Sequence, residues 1–149
     1  MPKIVVDVTQ SGADTTTSGT ILTGLSASGK EGWEIVHLRG YWTAAKSSAQ
    51  ADSDLNAILA TIDSATTFGD DDEIARLNWA VNFAANGVFA TEELKEASLY
   101  EPRVTVQPEL YINVASAGTG LANRVIVEVF YNIVKLSDSE VLKLLAGGA

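Results

Sequence analysis

Cysteine is absent from this chain, which excludes disulfides and thiolate metal sites outright. Histidine occurs once, as His37, so ordinary zinc ligands cannot be assembled within one copy. Basic charge is scarce: ten Lys and Arg stand against nineteen Asp and Glu, for a net charge of −9. The basic residues are scattered singly, from Lys3 and Lys30 through Arg76 and Arg124 to Lys143. No stripe or arm could neutralise several phosphates together, so direct sequence-specific binding of nucleic acid is not expected. Long apolar runs are missing too. None approaches the roughly 20 residues that cross a bilayer, and no membrane span is expected. Near the start, Lys3 is followed only by Ile4, Val5 and Val6 before Asp7, too little for the apolar region of a signal peptide. The chain reads as one made and kept in solution.

What remains is apolar and β-forming. Hydrophobic residues make up 46% of the 149 positions and charged residues only 19%, below the globular norm. A chain of this size hides roughly 68% of its extended surface on folding, enough for a real core. We expect one domain over 1–149. A low share of charge suits a surface partly covered by neighbours.

Period-two alternation dominates. Residues 3–9 set Ile4, Val6 and Val8 against Val5 and Asp7, a strand. Small and polar residues at 11–19 predict a loop, followed by a short apolar piece at 21–25 and a second loop to Gly32. Residues 32–44 predict a long strand, with Trp33, Ile35, His37, Arg39 and Tyr41 on one side. Glu34, Val36, Leu38 and Trp42 take the other side, and Gly40 is a candidate bulge or bend. Segment 52–62 fits a helix, through Leu55, Ile58, Leu59 and Ile62, or a short strand. Residues 70–86 alternate through Ala75, Leu77, Trp79, Val81 and Phe83, a half-buried strand entered from an acidic turn.

At 91–97, Thr91 can cap one helical turn anchored by Leu94. A short strand is expected at 103–107 between Pro102 and Pro108, and another at 109–115. Residues 116–120 predict a turn. Segment 123–136 is apolar on nearly both sides and should lie centrally in a sheet or beneath a partner. The end, 136–146, is a helix: Ser137 and Glu140 form a capping box, Leu136 and Val141 a staple, and Gly147 a stop. About seven strands with turn signals between them predict an all-β antiparallel sandwich, a jelly roll by preference. The C-terminal helix is short, and 52–62 and 91–97 leave room for one or two more.

Chemistry is hard to find in this pattern. His37 sits mid-strand, where a packed or surface histidine is the ordinary reading; no nucleophile elbow accompanies it. Asp70, Asp71, Asp72 and Glu73 cluster oxygens but lack the spacing and glycine of an EF-hand loop, so a solvated turn is expected. Gly118 and Gly120 form a lone G-x-G, better suited to a hairpin than to a phosphate. Glu92 and Glu93 are adjacent and point apart. No cofactor and no catalytic residue are expected. Trp33, Trp42 and Trp79 could form a platform for stacking sugar rings, though tryptophans more often anchor cores or interfaces.

One resemblance can be read in the last third. The hairpin of 109–115 and 123–136 runs into Val134-Lys135-Leu136-Ser137-Asp138 and a leucine-rich tail. This resembles the final strands and terminal segment of single jelly-roll coat proteins of small viruses. The strand Gly32-Trp33-Glu34-Ile35-Val36, entered from Gly24-Leu25-Ser26, is similar to an early strand of such proteins. The resemblance covers about half the chain and implies a virion structural protein. It would be a self-assembling capsid or capsid-associated subunit, assembled in the host cytoplasm, with itself and other virion proteins as partners. Coat proteins that package a genome usually carry a basic arm; here Lys3 stands alone, so the resemblance implies that another protein or an inner layer makes the genome contact, and a vertex, minor-capsid or decorating subunit would also fit. The candidate interface residues are Phe130, Val141, Leu142, Leu144 and Leu145. The competing expectation is a β-sandwich binding module for carbohydrate that uses the three tryptophans.

Overall fold

The computed structural model describes residues 1–45, 53–63, 72–81 and 90–147. Eight strands and one helix follow in order: β1 (Lys3–Thr9), β2 (Thr17–Leu22), β3 (Glu31–Ala45), β4 (Ser53–Ala60), β5 (Glu73–Val81), β6 (Ala90–Thr105), β7 (Glu109–Ala117), β8 (Arg124–Lys135) and α1 (Asp138–Ala146). They form two four-stranded antiparallel sheets, ordered β1-β8-β3-β6 and β2-β7-β4-β5. That strand order, in which successive strands cross between sheets except at the β4–β5 pair, is the eight-stranded jelly roll.

Alternation explains which side chains meet between the sheets. Val6 and Val8 of β1 and Val125, Val127 and Val129 of β8 face inward from the first sheet. Leu55, Ala57 and Leu59 of β4 and Leu110, Ile112 and Val114 of β7 face them from the second. Strand β8 lies between β1 and β3, the central place its two apolar faces demand. In the middle, Trp42 of β3 meets Trp79 of β5 edge to face at 6.0 Å, and both are fully buried.

Several sequence expectations need correction. Strand β3 has a bulge at Val36: its pairing with β8 steps from Ile35↔Tyr131 to His37↔Phe130. One extra residue reverses the phase of a period-two pattern. Trp33 and Ile35 therefore face the core before the bulge, and Leu38 and Trp42 after it, while His37, Arg39 and Tyr41 turn outward. Gly40 is not the bulge. It sits in regular register because the opposite sheet comes too close for a side chain: a Cβ there would overlap Leu77 Cδ1 and lie 2.8 Å from Trp79 Cη2.

The ambiguous segment 52–62 contains strand β4, held between β5 and β7. Residues 91–97 are not a helical turn but part of the 16-residue β6. Glu, Leu and Lys favour helices, but here antiparallel pairing with β3, from Ala45↔Ala90 to His37↔Ser98, overrides that weak preference. Nor does Pro102 break this strand. Only Val36 separates Ile35 from His37 on β3, whereas 99–102 separate Ser98 from Arg103 on β6. Proline, which cannot donate to a ladder, sits inside that unpaired insertion. The predicted loop at 11–19 ends early, since β2 begins at Thr17. Residues 82–86 of the predicted fifth strand lie outside the described residues.

Gly40→Ala should destabilise the fold by about 1–3 kcal/mol through overpacking against Leu77 and Trp79. Thermal unfolding followed by circular dichroism would measure it, and an unchanged midpoint would refute the close approach.

Candidate assembly surface

The outer face of the β1-β8-β3-β6 sheet is laid out in cross-strand rows. One row runs Val5, Glu128, Arg39, Glu96, and the next runs Lys3, Phe130, His37, Ser98. Glu128 is the hub of the charged row. Its carboxylate takes Lys3 Nζ at 3.0 Å and both Nε, at 2.8 Å, and Nη2 of Arg39. The hydrogen bond from Lys3, with help from Arg39, holds its carboxyl below the usual value despite some desolvation. Lys3 and Arg39 also lie over the Phe130 ring, at 5.8 and 5.5 Å. His37 meets Phe130 edge-on and brings Nδ1 to 2.9 Å from Ser98 Oγ. A third row, Asp7, Ile126, Tyr41, Leu94, is apolar at its β6 end, where Leu94 is 55% exposed.

Helix α1 folds back over the far end of the same face. The capping box predicted from sequence is present: Glu140 N donates to Ser137 Oγ, and Ser137 N donates to Glu140 Oε2 at 2.7 Å. That backbone hydrogen bond lowers the Glu140 carboxyl. Lys30 pairs with Asp138 at 3.3 Å, and Val141 is buried at the junction. Gly32 lies beneath it, where a Cβ would come within 3.0 Å of both Leu136 and Val104. Between helix and sheet runs an apolar groove of about 240 Å³ lined by Val104, Leu136, Glu140, Lys143 and Leu144. Outside it, Leu142 and Leu145 are exposed.

At the opposite end of the sandwich is a polar clamp that the sequence reading missed. Asp14, in the β1–β2 loop at φ 52°, reaches the β7–β8 loop. Its Oδ1 accepts from Ser116 Oγ, Thr119 N and Thr119 Oγ1, the last at 2.7 Å, and its Oδ2 accepts from Gly120 N at 3.0 Å. Partial burial pushes the carboxyl up, but hydrogen bonds from Thr119, Gly120 and Ser116 outweigh it and the net shift is downward. Gln10 and Asn123, both buried, complete the clamp: Gln10 N donates to Asn123 O at 2.9 Å, and Asn123 N to Gln10 Oε1 at 3.0 Å. The signal was present as an aspartate in a Ser/Thr/Gly loop, opposite a G-x-G that must turn with positive φ.

Other expected site residues are placed differently from the sequence reading. The tryptophan platform does not exist: Trp33 is 5% exposed and stacks on Tyr131 at 3.7 Å, and Trp42 and Trp79 are core. Indoles large enough to fill the space between sheets are drawn into it, leaving no free ring face for a sugar. Val141 is the staple, holding α1 down, and offers no interface. Phe130 is half-buried beneath its two cations, whereas Leu142, Leu145 and, at the groove, Leu144 are on the surface. Asp70 and Asp71 of the acidic run lie outside the described residues; Glu73 pairs with Arg76 at 2.6 Å. Among the described residues, no three metal-ligating side chains are grouped to hold an ion.

The chain is similar to a solved structure titled Desmodium yellow mottle tymovirus, with 11% identity, 91% of this chain and 90% of that one covered, and a TM-score of 0.34. It is also similar to the electron cryo-microscopy structure of broad bean stain virus, with 11% identity and a TM-score of 0.33. That match covers 72% of this chain and 60% of the other. No family model and no curated protein matches. The jelly-roll assignment stands on strand order alone.

Asp14→Asn should cost about 1–2 kcal/mol by weakening the bonds from Thr119 and Gly120. Because the folded carboxyl titrates below its unfolded value, this contribution is present above roughly pH 4 and is lost as pH falls through the folded value. Urea unfolding of both proteins from pH 6 to pH 2 should show their difference shrinking at the acid end.

Proposed function

We propose that this protein is a virion structural subunit, self-assembling as a capsid protein or as a vertex or decorating component. The observation that carries the reading is a surface one. Large apolar side chains are exposed along β6 and α1, at Leu94, Tyr100, Leu142 and Leu145, and elsewhere at Val5, Leu22 and Ile133. Large apolar groups exposed together mark a surface that something covers.

The interior supports the same reading. Trp42 and Trp79 fill the middle of the space between the sheets, so none of their ring faces is offered to a ligand. His37 lies on the outer face of a sheet, with Ser98 Oγ 2.9 Å from one ring nitrogen and Glu96 3.6 Å from the other, and we read this cluster as part of a structural surface. No helix among the described residues is long and apolar enough to cross a membrane. The whole chain serves as one sandwich domain whose partners are further copies and other virion proteins. Its place is the virion, assembled in the host cytoplasm. With −9 net charge it leaves genome contact to another component.

Burying one leucine at a contact is worth about 1.5–3 kcal/mol, so a few per interface suffice for weak, repeated association. Negative-stain microscopy and light scattering should show rings or particles, and Leu142→Asp with Leu145→Asp should disperse them. A wild-type protein that stays monomeric at high concentration, alone and with candidate virion partners, would overturn the reading.

A further inference from the structure

We infer that two copies of this chain dock reciprocally about a two-fold axis at the β6–α1 edge, each inserting Tyr100 into the groove under the other's α1. The inference rests on the assembly reading and names the contact. Tyr100 is 98% exposed, the most exposed large apolar side chain described. It sits in the unpaired insertion 99–102, directly after Leu99, which packs on the core, so its ring projects outward from the edge.

The groove that would receive it begins four residues further along the same strand. Val104, Leu136 and Leu144 supply an apolar floor, and Glu140 and Lys143 supply a polar rim. An aromatic ring with one hydroxyl matches that lining, because the ring needs apolar walls and the hydroxyl needs a wet end. Ser98 stands opposite His37 and Val104 opposite Glu34, so Tyr100 lies within about 10 Å of the groove along the strand, and at 98% exposed it does not fill the groove of its own chain.

Projection and groove thus lie side by side on one patch. Such a patch is self-complementary under a two-fold rotation, which swaps the two and makes both contacts at once. An axis near Pro102 performs that swap. Charge agrees with it: Glu101 beside the ring and Lys143 on the groove rim are both exposed, and among the described residues neither is within salt-bridge distance of an opposite charge, Lys143 acting on Glu140 only at longer range. The rotation brings each Glu101 to the other copy's Lys143, which offsets locally the repulsion between two chains of charge −9.

Because the chain has no cysteine, the contact can be trapped directly. The double variant Tyr100→Cys with Leu144→Cys, oxidised mildly, should give a covalent dimer on non-reducing gels, and a mixture of the two single variants should give a mixed dimer. In sedimentation velocity, Tyr100→Ala should weaken the pair roughly 30-fold per contact, while Tyr100→Phe should keep most of the affinity. Circular dichroism checks that each variant keeps its strands. A disulfide formed within one chain overturns the inference. Particles that form normally while the cysteine pair stays monomeric, or dimers indifferent to Tyr100→Ala, overturn it and leave the assembly reading standing. A wild-type chain that never associates overturns both.

Discussion

Everything in this molecule depends on two twisted sheets meeting face to face at a distance set by Trp42, Trp79 and the missing side chain of Gly40. The indoles are large, and they fit only because β3 brings bare backbone against Leu77 and Trp79. Once that contact is made, the remaining inward positions on β1, β8, β4 and β7 are filled by valine, leucine and isoleucine of ordinary size. Close packing of this kind leaves few voids larger than a water molecule. The same contact that stabilises the sandwich therefore moves whatever the protein does to its exterior.

The exterior is divided accordingly. One end is closed by polar bonds, where Asp14 and Gln10 tie two loops into a rigid unit. The other end carries α1, capped by its own serine and glutamate and held by Val141. Between them, the outer face of one sheet is a lattice of alternating charge with Phe130 under two cations, and Leu94 is exposed at one end of β6.

How much of this could be read in advance follows from how local each cause is. The α1 capping box is set by residues within four positions of one another and was read correctly. Strands β1, β7 and β8 show their pattern in a single uninterrupted alternation, and β8 even announces its central place by being apolar on both sides. By contrast, the bulge at Val36 reverses the alternation without any special residue to mark it. The close approach at Gly40 is dictated by β5, nearly forty positions away. Residues 91–97 have the composition of a helix and become strand only because β3 offers a ladder. The Asp14 clamp links positions more than a hundred apart. Of the candidate interface residues, Leu142 and Leu145 are exposed and Leu144 lines the groove. The tryptophans are not on the surface, because size draws an indole inward when a cavity of its shape exists.

The four-residue insertion in β6 also limits how copies can join. An edge strand with a continuous ladder invites end-on sheet extension, which propagates without limit into fibres. Residues 99–102 interrupt that edge, and Pro102 removes an amide from it. Backbone-to-backbone growth is interrupted there while the side chains stay accessible, which guards the edge against amyloid-like stacking.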